Sequence, residues 1–176
     1  MKGVVGMDLK NAIRSIPDFP EKGIIFRDIT TLLQEGKYFR QSVEELAEAA
    51  AEFEFDIITG PESRGFIFGT PLAYKLEKGF VPVRKKGKLP YKTIQKSYDL
   101  EYGSATVEMH VDAIKKGDRV LIVDDLLATG GTARAIVDLI EEMGGIVAGV
   151  VCLIELEGLN GRKLFEGYEV RALLRY

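Results

Sequence analysis

The chain has 176 residues and a formal net charge of −3 at pH 7. This length predicts one compact domain that buries roughly 70% of its unfolded surface. Hydrophobic residues make up 46% of the sequence and charged residues 29%, a balance that excludes a disordered, collagen-like or membrane-spanning protein. Because the net charge is slightly negative, no overall field attracts nucleic acid, and any anion site has to be local.

Cysteine and histidine occur once each, as Cys152 and His110. One cysteine forms no intramolecular disulfide and one histidine heads no histidine metal cluster, so secreted scaffolds and zinc enzymes fit poorly. The first residues lack the apolar stretch of a signal peptide, and no apolar run approaches the ~20 residues that span a bilayer. We therefore expect a cytoplasmic protein that binds no membrane.

The first part of the chain predicts two helices after a tail at residues 1–6. Asp8 is the predicted N-cap of a helix through Ile16, which the prolines that follow bring to an end. The second helix is predicted because apolar residues recur at helical spacing and form one stripe, namely Phe39, Val43, Leu46, Ala50 and Phe53.

The rest of the chain alternates strands and helices. Residues 56–59 and 81–83 read as short strands around a helix at 66–78. Four aliphatic residues at 120–123, a helical stripe from 133 to 143 and a buried strand at 146–154 form a βαβ unit. The sequence therefore predicts an α/β protein with a mostly parallel sheet and flanking helices.

A different pattern lies inside this frame. Apolar and polar residues alternate over 97–102 and again over 105–111, and Gly103 and Ser104 join the two runs. This pattern predicts an inserted antiparallel hairpin. There is no internal repeat, so we expect residues 1–176 to form a single domain.

The most informative segment follows the strand at 120–123. Asp124 and Asp125 stand where a strand of a parallel sheet presents ligands, and a short Thr-Gly-Gly-Thr loop then opens a helix. The glycines let backbone N–H groups approach an anion, and the start of the helix favours negative charge. The two carboxylates would repel a phosphate but suit sugar hydroxyls or a hydrated cation. A phosphorylated sugar would suit both the loop and the carboxylates. The alternative is an ordinary strand-to-helix turn in which the two aspartates are solvated or cap the helix.

Two further segments carry positive charge. Glu62, Ser63 and Arg64 follow a strand and open a helix, so Arg64 is placed to bind an anion, unless it is a surface arginine in a tight turn. A run of basic residues follows the strand at 81–83 and consists of Arg84, Lys85, Lys86 and Lys88. Taken alone, such a run is typical of a solvated loop.

Four segments in this order resemble the type I phosphoribosyltransferases, and most of all those that act on adenine: residues 23–29, 62–66, 84–90 with 100–103, and 120–132. The resemblance extends from about residue 7 to the last residue. It implies the fold of that family and the transfer of a phosphoribosyl group from 5-phospho-α-D-ribose 1-diphosphate (PRPP) to adenine. The products would be AMP and pyrophosphate, the reaction one of purine salvage, the cofactor Mg²⁺, and the assembly a homodimer.

The resemblance also implies residue roles. The 5′-phosphate would bind the loop formed by Ala128, Thr129, Gly130, Gly131 and Thr132, and the ribose would bind Asp124 and Asp125. Pyrophosphate would bind Glu62, Ser63 and Arg64, with Arg84, Lys85, Lys88 and Tyr102 from a mobile lid at 84–103. Mg²⁺ would be held mainly by pyrophosphate and ribose, with Asp124 contacting it through water.

The base would lie against a small N-terminal hood at residues 7–35. Phe26 could sandwich the purine while backbone groups of Ile25 and Arg27 read its edge, and Leu156 would form another wall. The alternative for Phe26 is an anchor in the core. Glu101 would give or accept a proton at the purine, and the predicted catalytic residues are Glu101, Arg64, Lys85 and Lys88.

Two rival functions remain open. A regulator could use the same fold to bind its effector without turnover, although this acidic chain offers no basic face. A phosphoribosyltransferase for hypoxanthine, guanine or xanthine would differ only in the base pocket.

Overall fold

The computed structural model describes residues 8–99 and 103–176. The chain divides into two compact units, Met1–Glu45 and Leu46–Tyr176. The predicted tail at residues 1–6 lies outside the described residues. Within the described ranges, no helix combines the length and apolar character that crossing a membrane requires.

The first unit is built around a two-stranded antiparallel sheet. A 3₁₀ turn at Leu9–Ala12 precedes strand β1 (Arg14–Pro17), which pairs with strand β2 (Ile25–Asp28). Helix α1 (Thr30–Gln34) follows, and helix α2 (Gly36–Ala50) continues into the second unit.

The predicted first helix is wrong beyond its cap. Asp8 does act as an N-cap, because its Oδ1 accepts a hydrogen bond from the amide of Lys10 at 3.0 Å. The helical turn ends at Ala12, however, and Arg14 begins a strand. The guanidinium of Arg14 lies 2.6 Å from Oδ2 of Asp28. Hydrogen bonds from the backbone and side chain of Thr30, and then from Arg14, lower the pKa of Asp28 to about 2. A pairing between residues far apart in sequence therefore overrides the local helical signal.

The second unit contains one seven-stranded sheet. Its strands are β3 (Ile57–Pro61), β4 (Gly79–Lys85), β5 (Thr93–Asp99), β6 (Ser104–His110), β7 (Arg119–Leu127), β8 (Ile146–Glu155) and β9 (Val170–Arg175). The spatial order is β5-β6-β4-β3-β7-β8-β9. The five strands from β4 to β9 in this order are parallel, and β5 and β6 add the antiparallel hairpin. The predicted mostly parallel sheet with an inserted hairpin is confirmed.

Two helices follow strands of this sheet. They are α3 (Arg64–Lys75), after β3, and α4 (Gly131–Glu142), after β7. Strand β7 is fully buried from Val120 to Val123, as the aliphatic run predicts, and packs with the apolar stripe of α4. Two short 3₁₀ turns, Glu157–Leu159 and Gly161–Phe165, lead to β9, which the sequence analysis did not predict.

Strand β7 also extends farther than predicted. Its pairing with β8 includes Asp124 and continues to Leu127. The acid pair therefore lies on a strand whose backbone is fixed by its neighbour, and the loop before α4 is shorter than the sequence suggests.

Candidate active site

A cleft of about 300 Å³ opens in the second unit at the carboxyl ends of β3, β4 and β7. It brings together many of the predicted site residues, which are Glu62, Ser63, Arg64, Arg84, Lys85, Asp124, Asp125 and the loop residues 128–132. Parallel strands present their carboxyl ends to the same edge, and ligands of α/β sheets bind there. The sequence segments that resemble binding loops therefore meet at one place.

The loop before α4 needs glycine at position 130, where the chain takes a positive φ and passes close to the backbone of Gly161. Gly130 is the residue before the helix and has a φ of +85°, which L side chains rarely adopt. A Cβ at Gly130 would also lie 2.8 Å from the carbonyl oxygen of Gly161. The backbone of Gly161, the first residue of the second 3₁₀ turn, thus packs against the loop, while residues 129–133 line the cleft. The start of α4 offers backbone N–H groups and a positive dipole end to an anion.

Gly161 is a contributor that the sequence analysis missed. A Cβ on Gly161 would lie 2.1 Å from the carbonyl oxygen of Ala128 and 2.8 Å from the carbonyl carbon of Thr129. No side chain fits at this distance. An isolated glycine about thirty residues beyond the loop carries no local signal that could have identified it.

The acid pair is tightly surrounded. Asp125 is 3% exposed, and Nε of Arg64 lies 3.0 Å from its Oδ2. The amide of Asp125 donates to Oδ1 of Asp124 at 2.8 Å. A Cβ on Gly65 would come within 3.2 Å of the same Oδ1, so the first turn of α3 closes directly on Asp124.

Burial dominates the electrostatics of this pair. Burial and the neighbouring carboxylate of Asp125 raise the pKa of Asp124, and burial also raises the pKa of Asp125, although the Arg64 guanidinium opposes this. Hydroxyl donors or a cation would stabilise the charged forms. The pair is therefore suited to a ligand that brings such groups.

The loop after β3 joins the basic segment to the cleft. The Glu62–Ser63 peptide bond is cis, and Ser63 precedes the first residue of α3, Arg64. Nε of Arg84 donates to Oε2 of Glu62 at 2.5 Å, and the amide of Lys85 donates to Oε1 at 3.3 Å. Burial by itself would raise the pKa of Glu62, but the contacts to Arg84 and Lys85 lower it. Glu62 thus binds the end of β4 and holds Arg84 at the cleft.

The basic run divides into two parts. Arg84 and Lys85 line the cleft, whereas Lys88 is exposed and is not among the lining residues. The backbone of the turn is fixed, because the amides of Lys88 and Leu89 both donate to Oε1 of Glu108 at 2.9 Å.

Glu108 is a second residue that the sequence analysis missed. Glu108 is a polar position in the alternation over 105–111, yet it is 2% exposed and lies between buried Val107 and Met109. Its carboxylate is buried because it accepts backbone hydrogen bonds from the turn that follows β4. Strand β5 begins at Thr93, before the alternating pattern at 97–102 that predicted it.

Several predicted site residues lie elsewhere. Leu156 is not among the residues that line the cleft; it is half-buried, and its amide donates to the carbonyl of Leu127 at 2.9 Å. Glu101 and Tyr102 lie outside the described residues.

The predicted base-binding residues belong to the first unit. Ile25, Phe26 and Arg27 are in strand β2. Ile25 is 50% exposed, and the Phe26 ring is half-buried and meets Phe19 edge to face with centroids 5.2 Å apart. Nη1 of Arg27 donates to Oγ of Ser15 at 2.6 Å. Phe26 therefore has aromatic contact on one side without being fully enclosed.

Comparison with known proteins places these features in a family. Residues 30–172 match the family described as phosphoribosyl transferase domain. The chain is 57% identical over 170 residues to an adenine phosphoribosyltransferase of Kosmotoga olearia, covering 97% of this chain and 100% of that protein.

Solved structures agree with this match. The crystal structure of adenine phosphoribosyltransferase from Thermoanaerobacter pseudethanolicus superposes with a TM-score of 0.93 at 54% identity, covering 96% of this chain and 98% of that one. The enzyme from Saccharomyces cerevisiae, complexed with an imino-altritol bisphosphate and adenine, gives a TM-score of 0.84 at 39% identity over 93% and 94% of the two chains.

Proposed function

The chain belongs to the phosphoribosyltransferase family and, within it, to the adenine phosphoribosyltransferases, and from this membership we infer the reaction and the residues that perform it. The protein transfers the phosphoribosyl group of PRPP to adenine and gives AMP and pyrophosphate, a reaction of purine salvage. The observation that carries the inference is the meeting, in one cleft, of the Asp124–Asp125 pair with a glycine loop that opens a helix.

The 5′-phosphate binds the loop from Ala128 to Thr132. Backbone amides at the start of α4, the helix dipole and the hydroxyls of Thr129 and Thr132 provide donors for its oxygens. This contact is remote from the reacting carbon. Its binding energy fixes the position of the ribose and so contributes to catalysis through orientation.

The ribose hydroxyls donate to Asp124 and Asp125. Both carboxylates line the cleft, and burial makes them costly to keep charged without donors, so sugar hydroxyls relieve a desolvation penalty. When the bond to pyrophosphate breaks, positive charge develops on the ribose ring. The acid pair then stabilises that charge by electrostatic attraction.

Pyrophosphate binds the cationic side of the cleft. Arg64 starts α3, and Arg84 and Lys85 end β4, so three cations and a helix N-terminus face the same space. Charge-assisted contacts contribute roughly 1.5–3 kcal/mol each, enough for these groups to stabilise the leaving group as its charge grows. Ser63 lies between Glu62 and Arg64 in the same loop, while Lys88 and Tyr102 contribute from the lid proposed at 84–103.

Adenine binds the hood proposed at residues 7–35. Phe26 contacts the flat face of the base, and backbone groups of Ile25 and Arg27 read its edge. The half-buried Phe26 ring and the exposed Ile25 support this assignment. The role of Leu156 as a further wall comes from the family resemblance alone. Glu101 gives a proton to the purine or accepts one from it, a role that comes from the family resemblance alone. No protein nucleophile is required, because the base itself attacks the ribose.

Mg²⁺ is part of the proposal. Within the described part of the chain, no group of three or more His, Cys, Asp and Glu side chains is arranged to hold a metal ion. Asp124, which lines the cleft, would contact the cation through water, and pyrophosphate and ribose oxygens would supply the other ligands. When bound, Mg²⁺ supplies positive charge next to the pyrophosphate. The homodimer and the cytoplasmic location expected from the sequence stay predictions.

One incubation separates the possible functions. The protein is mixed with Mg²⁺, PRPP and a single purine, and pyrophosphate release is measured for adenine, hypoxanthine, guanine and xanthine in turn. Release with adenine alone supports the proposal. Release with an oxopurine would move the protein to another base specificity, and binding of PRPP without turnover would indicate a regulator.

A further inference from the structure

The hydroxyl of Tyr98 contacts the proposed phosphate loop and has no role in the reaction described above. We propose that Tyr98 is a positioning residue, which orients the Thr132 hydroxyl toward the 5′-phosphate and ties the β5–β6 hairpin to the phosphate loop. The proposal rests on the proposed function, because it takes residues 128–132 as the phosphate site.

Tyr98 packs directly on the first residue of α4. It lies in β5, one residue before the end of the strand, and its side chain is half-buried. A Cβ on Gly131 would lie 3.0 Å from Cδ2 of the Tyr98 ring and 3.4 Å from the carbonyl oxygen of Asp99. The end of the hairpin and the start of the helix are thus in contact through both a side chain and the backbone.

The polar contact is between two hydroxyl groups. Oγ1 of Thr132 donates to Oη of Tyr98 at 2.9 Å, and both residues line the cleft. A hydroxyl has one hydrogen to donate and can accept as well. A phosphate oxygen accepts hydrogen bonds, so a contact between the phosphate and Thr132 requires that Thr132 turn its hydrogen from Tyr98 to the phosphate.

The tyrosine hydroxyl allows this change without losing a hydrogen bond. When Thr132 turns its hydrogen to the phosphate, Tyr98 can rotate its own hydrogen and donate to Oγ1 of Thr132. The result is a chain in which Tyr98 donates to Thr132 and Thr132 donates to the phosphate, and hydrogen bonds in such chains strengthen one another. Phenylalanine at position 98 would keep the ring on Gly131 but could not donate.

The first test compares Tyr98→Phe with the wild type in the binding of AMP and adenosine by calorimetry. We expect AMP to bind about fivefold to tenfold more weakly, the size of one neutral hydrogen bond, while adenosine binding stays unchanged. The KM for PRPP should rise by a similar factor, with kcat within about twofold of the wild type. Tyr74→Phe is the matched control, since Tyr74 is 89% exposed and lies outside both the proposed lid and the cleft lining.

The second test asks whether Tyr98 acts through Thr132. In the Thr132→Val background Tyr98→Phe should have no further effect on AMP, whereas in the Thr132→Ser background, which keeps a hydroxyl, the loss should return. An unchanged AMP affinity in Tyr98→Phe, an equal loss for adenosine, or an equal loss in the Thr132→Val background would overturn the inference. A wild-type protein that binds AMP no better than adenosine would instead overturn the proposed phosphate site itself.

Discussion

At the scale of single residues, Asp125 is expected to matter for catalysis and not for the stability of the fold. We expect Asp125→Asn to lower kcat/KM about a hundredfold, because the carboxylate that faces the developing positive charge is lost. Stability should not fall with it. Burial raises the pKa of Asp125, so at a pH above that raised pKa the folded state holds a charge that is costly to bury.

The sign of the stability effect follows from that raised pKa. A carboxyl whose pKa is higher in the folded protein adds stability at low pH and loses that contribution as the pH rises. Relative to the wild type, Asp125→Asn should therefore have an equal or higher Tm at pH 8, and a smaller advantage at about pH 3.5, below the ordinary pKa of 3.8. Asp138→Asn on the surface of α4, where Asp138 pairs with Arg134, is the control. A lower Tm at pH 8 with normal turnover would contradict the assignment.

Residues close together in sequence were the predictable part of the site. Asp124, Asp125 and the loop at 128–132 are contiguous, so their composition alone indicates a phosphate and a sugar. Tyr98, Glu108 and Gly161 could not be predicted, because each acts on a partner that is twenty or more residues away. Their importance depends on a close approach that only the tertiary structure creates.

At the scale of elements, Glu108 of β6 holds the turn between β4 and β5. Burial by itself would raise the pKa of this carboxyl, but hydrogen bonds from the amides of Leu89, Gly87 and Lys88 hold it below the usual value. We expect Glu108→Gln to lower the free energy of unfolding by about 1–2 kcal/mol at pH 7, the effect of weakening charge-assisted hydrogen bonds to the backbone.

The pH dependence identifies the cause of that loss. The pKa of Glu108 is lower in the folded protein than in the unfolded chain, where it is about 4.5. The carboxylate therefore stabilises the fold when the pH is above 4.5, and this contribution disappears as the pH falls below about 4.5. Urea unfolding of both proteins at pH 7 and pH 4 should therefore show a smaller difference at the lower pH. Glu142→Gln, which alters an exposed carboxylate, provides the comparison. A difference that grows toward pH 4 would mean that Glu108 acts in another way.

Elements were predictable where a local pattern determines the structure. The β7-α4-β8 unit follows from an aliphatic run and a helical stripe that pack on each other. The helix predicted at 8–16 failed because β1 pairs with β2, whose residues lie about ten positions farther along the chain. Strand β9 was missed for the same kind of reason, since it is defined by its pairing with β8.

At the scale of the whole molecule, a slightly negative chain places three cations along one side of a cleft whose other charged residues are carboxylates. The chain carries −3 overall, yet Arg64, Arg84 and Lys85 line one cleft. Binding of pyrophosphate should therefore depend on these local cations and weaken as salt screens them. Adenine is neutral, so its binding should be much less sensitive to salt.

Two lysines of the same segment should therefore differ in their effect on pyrophosphate binding. Lys85→Met should weaken pyrophosphate binding about tenfold at low salt and reduce its salt dependence, because one of the lining cations is removed. Lys88→Ala should have a smaller effect, since Lys88 is exposed and does not line the cleft. Lys163→Met, on a different part of the surface, should change nothing. Titrations with Mg²⁺ and pyrophosphate at about 0.05 M and about 0.5 M salt measure all three. If Lys88→Ala had the larger effect, the bound state would require the turn at Lys88 to move into the cleft, against the hydrogen bonds by which Glu108 holds it.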